Sequence, residues 1–283
     1  MQGTSVFKTP EGKNAILAVY DSLLKRWPVP YETIICPTRH GDIHVVACGD
    51  KNKPPLVLLH GAAFNSAMWL GDAAEYVKHF RVYAVDLPGE AGKSTEYRPD
   101  LLTSAYAEWV ADTLDALHVE KACFVGMSLG GWTTLKFATA HPERTDRIVL
   151  LCPAGIGRQK VSFLFRAMPN MLLGKRGEEN NVRLVMGTKN VLREAMEYSM
   201  LINRNHMPYM GTVPLLTDDE LKKMTGPVLV IVGEKDVMIH SKETIARVKR
   251  ILPHAQAVLL PGAGHGLIDQ KERILGFLLN GTV

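Results

Sequence analysis

Three residues of this chain have the side-chain chemistry of a nucleophilic relay, and each stands just past an apolar run. Ser128 lies in Gly126-Met127-Ser128-Leu129-Gly130-Gly131, after the run at 122–125 and before a helical pattern. Asp236 follows the run at 227–232, and His265 follows the run at 257–260 on a glycine-rich loop. A hydroxyl is a weak nucleophile near neutral pH and needs a base that is itself oriented by an acid. Ser128, His265 and Asp236 supply those types in that role order. A serine on a sharp strand-to-helix turn needs neighbours two before and two after it without side chains, and Gly126 and Gly130 meet that need. The same turn places Leu129 N–H at a helix N-terminus, where it favours developing negative charge. On its own the pentapeptide also fits a glycine-bearing turn with no chemistry. The chain order Ser128, Asp236, His265 at three run ends argues against coincidence.

The elements that must position these residues are legible in the hydrophobic pattern. Apolar runs recur near 55–61, 81–89, 122–128, 148–155, 227–236 and 257–265, most of them separated by amphipathic segments such as 103–119 and 241–253. Unbroken apolar strands alternating with helices predict a mostly parallel sheet covered on both faces, whose ligands sit outside the carboxyl ends of the strands. Upstream, Ile16, Leu17, Tyr20, Leu23, Leu24 and Trp27 predict a helix over about 13–27, stopped by Pro28 and Pro30. The runs at 32–38 and 43–49 around His40-Gly41-Asp42 read as an antiparallel pair. One interval, 157–225, has helical pattern and no comparable strand, and it is longer than any crossover needs. The expected organisation is a core of 1–156 and 226–283 with a helical cap of 157–225.

With Ser128, Asp236 and His265 in this order and context, the chain resembles the α/β-hydrolase superfamily over about 33–279, and within it bacterial carboxylesterase-like serine hydrolases. The resemblance implies an α/β-hydrolase fold: eight strands, mostly parallel, the second antiparallel, and a cap inserted after the sixth. It also implies that the His60-Gly61 loop presents Ala62 N–H as the second oxyanion donor beside Leu129, and that His60 supports the loop instead of acting as the base. Asp236 fits the family's acid position, whereas Glu234 stands too early and Asp269 follows His265 closely and is expected on the final helix. No acid occupies the family's alternative site after the sixth strand, where Cys152-Pro153 stands. The Asp-x-Pro-Gly loop departs from its commonest Gly-His-Gly form, with Glu90 and Ala91 in that place.

Other motifs carry less. Gly92-Lys93-Ser94 resembles the end of a phosphate-binding loop, but Leu87 stands where that loop needs its first glycine. His40 and His44 have metal-like spacing only on a helix, and here they flank a hairpin read as a surface turn. Cys36, Cys48, Cys123 and Cys152 stand singly and read as buried small hydrophobes in a reducing compartment. With 33 Lys and Arg against 29 Asp and Glu in 283 residues, and no basic block, nucleic acid is not an expected partner. No apolar run is long enough to span a bilayer and no leader pattern opens the chain, so a cytoplasmic location is expected, with no membrane partner.

Eight of the 12 methionines fall in the cap interval: Met168, Met171, Met186, Met196, Met200, Met207, Met210 and Met224. They could form an adaptable apolar pocket or could glue the cap's helices to one another and to the core. Met127, Ala63, Phe64, Met168, Met200 and Met238 are the candidate pocket residues. The expected activity is hydrolysis of small to medium, largely apolar carboxylic esters through an acyl-enzyme, with no cofactor and no metal. Thioester, lactone, carbon–carbon and perhydrolysis chemistry fit the same three residues, and a small-molecule sensor with little turnover is the reading from another class.

Overall fold

The structure, a computed structural model, describes residues 5–209, 211–267 and 269–282, with Met210 outside them. Eight strands form one sheet: β1 (Tyr31–Cys36), β2 (Ile43–Cys48), β3 (Pro55–Leu59), β4 (Arg81–Val85), β5 (Ala122–Met127), β6 (Thr145–Leu151), β7 (Val228–Gly233) and β8 (Gln256–Leu260). Their spatial order is β1-β2-β4-β3-β5-β6-β7-β8. β2 runs antiparallel to both neighbours, and every pair from β4 onward is parallel. Every residue of β2, β4, β5 and β7 is buried, so both faces of the sheet are covered, which is why these runs read as continuously apolar.

Among the described residues ten α-helices accompany the sheet: α1 (Pro10–Leu24), α2 (Ala73–Tyr76), α3 (Ala105–Ala116), α4 (Leu129–Ala140), α5 (Ser162–Ala167), α6 (Gly174–Met186), α7 (Arg193–Asn205), α8 (Asp218–Lys222), α9 (Ser241–Ile251) and α10 (Lys271–Asn280). α1 begins three residues before the expected start and ends three before the expected end. Its start is set by chemistry rather than by the apolar stripe: the Thr9 side chain accepts Gly12 N–H and Pro10 occupies the first helical turn. Before Pro28 the chain tightens, with Trp27 N–H donating to the Leu24 carbonyl. Ile16, Tyr20 and Leu24 form its buried face.

The interval between β6 and β7 holds α5, a 3₁₀ segment (Met168–Leu173), α6, α7 and α8. α6 packs on α7, and α7 packs on α1. Val182, Met196 and Met200 form a small separate core here, with Met186 and Val191 against it. Val213, Leu216, Leu221 and Met224 instead join the main core, where α8 meets α4 and α9. The methionines therefore divide. Met196 and Met200 glue two helices together, Met224 fills the main core, and Met168 and Met171 are exposed at 60% and 77%. A single methionine-lined pocket is not what they build.

The His40–His44 hairpin also differs from its reading as a surface turn. His40 is half-buried and pairs with Glu108 at 2.8 Å, while His44 is buried in β2. Cross-strand pairing explains this: β2 lies against β4 with Val45 opposite Val85, which brings His44 beside Asp86.

Candidate active site

Ser128 occupies the junction between β5 and α4 with φ 51° and ψ −108°, a conformation that costs of order 1–3 kcal/mol for a residue with a side chain. The surrounding backbone enforces it. Ser128 N–H donates to the Leu151 carbonyl at 2.9 Å, and its own carbonyl accepts from Trp132 N–H at 2.9 Å and Ala154 N–H at 3.3 Å. The flanking glycines follow from crowding: a Cβ on Gly126 would lie 2.5 Å from the Gly130 carbonyl oxygen, and one on Gly130 would lie 2.2 Å from that of Leu59. Although Ser128 precedes a helix, its hydroxyl makes no capping bond, so the Oγ is not consumed structurally.

Asp236 and His265 meet at the ends of β7 and β8. His265 Nδ1 lies 2.7 Å from Asp236 Oδ2, and Met238 and Ile239 N–H donate to Asp236 Oδ1 at 2.6 and 3.1 Å. Burial alone disfavours the carboxylate, but His265 and these N–H groups outweigh it and hold Asp236 below its ordinary range. An acceptor-only carboxylate fixes the His265 proton on Nδ1 and leaves Nε2 as the basic nitrogen. Cys152, buried with φ 42° at the end of β6, places its sulfur within 4.8 Å of the ligand atoms of both. Of the competing acids, Glu234 accepts Gly262 N–H, and Asp269 sits with φ 55° just before α10 rather than on it.

The loop after β3 runs beside the serine, since a Cβ on Gly61 would lie 3.7 Å from both Ser128 Cβ and Met127 Cγ. His60 is buried and neutral. Burial lowers its pKa, Nε2 accepts Leu87 N–H at 2.9 Å, and Nδ1 donates to the Gly61 carbonyl at 2.7 Å. Ala62 is exposed, and Ala63 follows it with φ 53°. Phe64 is half-buried with its ring 5.7 Å from that of Tyr198 on α7. Tyr198 Oη also accepts from Asn65 Nδ2 at 2.6 Å. At the end of α6, the Val185 carbonyl accepts His265 N–H and Met186 packs against Gly266. Of the candidate pocket residues, Met127, Ala63 and Phe64 thus gather around the serine loop and Met238 at Asp236. Met200 is held between α6 and α7, and Met168 is exposed.

One buried centre beside the site was missed in the sequence. Asp86, fully buried at the end of β4, accepts from Tyr20 Oη, Ser66 N–H and Lys93 N–H at 2.8–2.9 Å, and His44 Nδ1 lies 3.1 Å from it. Burial opposes its charge, but His44 and the backbone donors hold the carboxyl well below its ordinary range. It ties α1 and the loops after β3 and β4 to one point. Asp86→Ala would orphan these buried donors, and we expect a loss of about 3–5 kcal/mol. Urea unfolding checks this; a change under about 1 kcal/mol would contradict it. In wild type the Asp86 contribution is present above the ordinary carboxylate pKa and is lost as pH falls toward its depressed folded value.

A buried hydrogen-bonded His–Asp pair at the ends of the last two strands and a strained serine elbow define a hydrolase-type site on an α/β sheet. The model of the alpha/beta hydrolase family matches residues 56–275, and the chain belongs to that family. Among its relatives, carboxylesterase YbfK of Bacillus subtilis is 33% identical over 297 residues, with 99% of each chain covered. The crystal structure of that protein, carboxylesterase CesB (YbfK), superposes with a TM-score of 0.85 over 96% of this chain and 100% of that one, at 32% identity. The naproxen esterase (carboxylesterase NP) from Bacillus subtilis superposes with a TM-score of 0.83 at 29% identity, covering 96% of this chain and 99% of that one.

Proposed function

We propose that the chain is a serine hydrolase that cleaves small to medium, largely apolar carboxylic esters. The observation that carries this reading is the 2.7 Å His265–Asp236 pair at the ends of β7 and β8, on the same carboxyl edge of the sheet as a serine whose strained backbone presents an uncapped hydroxyl. The full-length likeness to proteins named carboxylesterase supports the ester as substrate class. Ser128 Oγ attacks the ester carbonyl carbon while His265 Nε2 takes its proton. The resulting oxyanion is held by Ala62 and Leu129 N–H, each such donor being worth about 10²- to 10³-fold in rate. Collapse breaks the carbon–oxygen bond, His265 returns the proton to the departing alcohol, and the acyl group stays on Ser128. Water, deprotonated by His265, attacks the acyl carbon, and the acid leaves as Ser128 regains its proton. Asp236 orients the imidazole and stabilises the imidazolium that forms in each step.

In the same reading residues 157–225 act as a cap, supported by the contacts of α6 with the His265 loop and of α7 with the loop after β3. The partner is a small ester molecule and the location is the cytoplasm, in keeping with four buried free thiols. Among the described residues no helix is long and apolar enough to cross a membrane.

Hydrolysis of p-nitrophenyl acetate, butyrate and octanoate, with the monosuccinate as a charged comparison, tests the substrate class. Turnover of the uncharged esters with a lower kcat/KM for the monosuccinate is expected. Preference for the charged ester, or no turnover of any, would contradict the proposal.

A further inference from the structure

Where relatives of this fold commonly carry Gly-His-Gly, this chain carries Glu90-Ala91, and the substitution has a structural use. Glu90 is buried at 3% exposure, and its Oε2 accepts Ala63 N–H at 2.6 Å. That N–H belongs to the peptide bond directly after Ala62, in a loop whose next residue, Ala63, has φ 53°. That peptide sets ψ of Ala62 and φ of Ala63, whereas Ala62 N–H itself belongs to the preceding Gly61–Ala62 peptide, whose carbonyl His60 Nδ1 holds; the Glu90 bond therefore fixes the turn from the C-terminal side of Ala62. Three more bonds clasp the same two loops: Asn65 Nδ2 to the Ala91 carbonyl, Ser66 N–H to Asp86, and Leu87 N–H to His60. Of these four bonds that of Glu90 reaches the peptide on the C-terminal side of Ala62, while the peptide on its N-terminal side is held by His60 Nδ1 on the Gly61 carbonyl.

We infer that Glu90 is a positioning residue that, by holding the Ala62–Ala63 peptide, locks from its C-terminal side the turn that carries Ala62 N–H toward the oxyanion. The inference rests on the serine hydrolase reading and on Ala62 as donor. Glu90 touches no reacting atom; it acts through the loop.

The surroundings of Glu90 make its charge variable. Oε1 has no hydrogen-bond partner among the described residues, with Arg98 Nη2 3.9 Å away. The Arg98 Nη2 is already committed to the carbonyls of Gly89 and Met207. The other titratable groups facing Glu90 are His206, 4.0 Å away and lowered by burial to about 4, and Tyr106, raised by burial well above the ordinary tyrosine range. Both stay neutral near pH 7. Burial raises Glu90 itself to about 7, against the opposing pull of Ala63 N–H and Arg98. A carboxylate holds an N–H roughly twice as strongly as a neutral acceptor does, so the loop is held best above pH 7. Stability runs the other way. With a raised folded pKa, the contribution of Glu90 is full below the ordinary glutamate pKa of about 4.3 and is lost as pH rises to about 7.

The test compares wild type, Glu90→Gln and Glu90→Ala in kcat, KM and melting temperature from pH 5 to 9, using p-nitrophenyl butyrate. Glu90→Ala should lose about 10²-fold in kcat with KM little changed, the scale of one misplaced oxyanion donor. Glu90→Gln, whose amide oxygen still accepts Ala63 N–H, should lose less than about tenfold at pH 8. Its kcat profile should lack an ionisation near pH 7 that wild type shows besides the limb set by the base. Its melting temperature should gain on that of wild type between pH 5 and 8, as loss of a buried ionisable carboxyl requires, while the lost kcat ionisation is the readout that a merely structural anchor would not move. If Glu90→Ala does not fold, the Glu90→Gln profile decides alone. An active wild type with Glu90→Ala unchanged in kcat, or with the ionisation retained in Glu90→Gln, overturns the assignment while leaving the hydrolase reading intact. A wild type inert toward every ester overturns both.

Discussion

Ser128→Ala is expected to lower kcat by about 10⁶-fold, the scale seen when the nucleophile of a three-residue relay is removed, while leaving the fold unchanged. The two halves of that expectation have separate grounds. The hydroxyl caps no backbone N–H of α4, and the bonds that hold the elbow are made by the Ser128 backbone, which alanine keeps. Alanine also tolerates the same φ of 51° no worse than serine does. Unfolding by urea should therefore be superimposable on wild type within about 1 kcal/mol, while ester turnover falls to the level left by binding and the oxyanion donors alone. Steady-state kinetics with unfolding on the same preparation checks both halves. A folded Ser128→Ala protein that retains more than about 1% of wild-type kcat would remove Ser128 from the chemistry.

Asp236→Asn should lower kcat by about 10⁴-fold, the size of effect expected when the base is held in its wrong tautomer. The geometry says why. Asp236 Oδ1 accepts two backbone N–H groups, from Met238 and Ile239, and those donors will claim the single amide oxygen of asparagine. The amide NH₂ is then turned toward His265 Nδ1, in place of the oxygen now 2.7 Å away. A donor there drives the imidazole proton to Nε2, and the nitrogen that should take the serine proton becomes a donor itself. The side chain is isosteric and its neighbours stay bonded, so KM and the melting temperature should change little. A loss below tenfold in kcat would show that another acid, or none, orients His265.

The parts of this site that were legible in the sequence are those whose requirements are local. Glycines at 126 and 130 are dictated by contacts within one strand-to-helix turn, and Asp236 and His265 each declare themselves by standing just past an apolar run. The largely parallel character of the sheet followed from the same runs. What escaped was set by pairing between distant segments. Asp86 is bonded to Tyr20 from 66 residues away and to Ser66 from 20. Glu90 is bonded to Ala63 across 27 residues. His44 looked like a turn residue because nothing in its own neighbourhood announces that β2 lies against β4. The one available signal was Glu90-Ala91 itself, standing where the resemblance leads one to expect Gly-His-Gly. The methionines mislead for a related reason. Their clustering says that irregular apolar space is filled, but whether it lies between α6 and α7 or over Ser128 depends on how the interval folds back.

The central claim is that Ser128 is a nucleophile activated by His265, and covalent labelling with a fluorophosphonate reads this most directly. Wild type should take up one equivalent, with the adduct located by peptide mass spectrometry on Ser128, while Ser128→Ala takes up none. Absence of an adduct on folded wild type, or equal labelling of Ser128→Ala, would contradict the account.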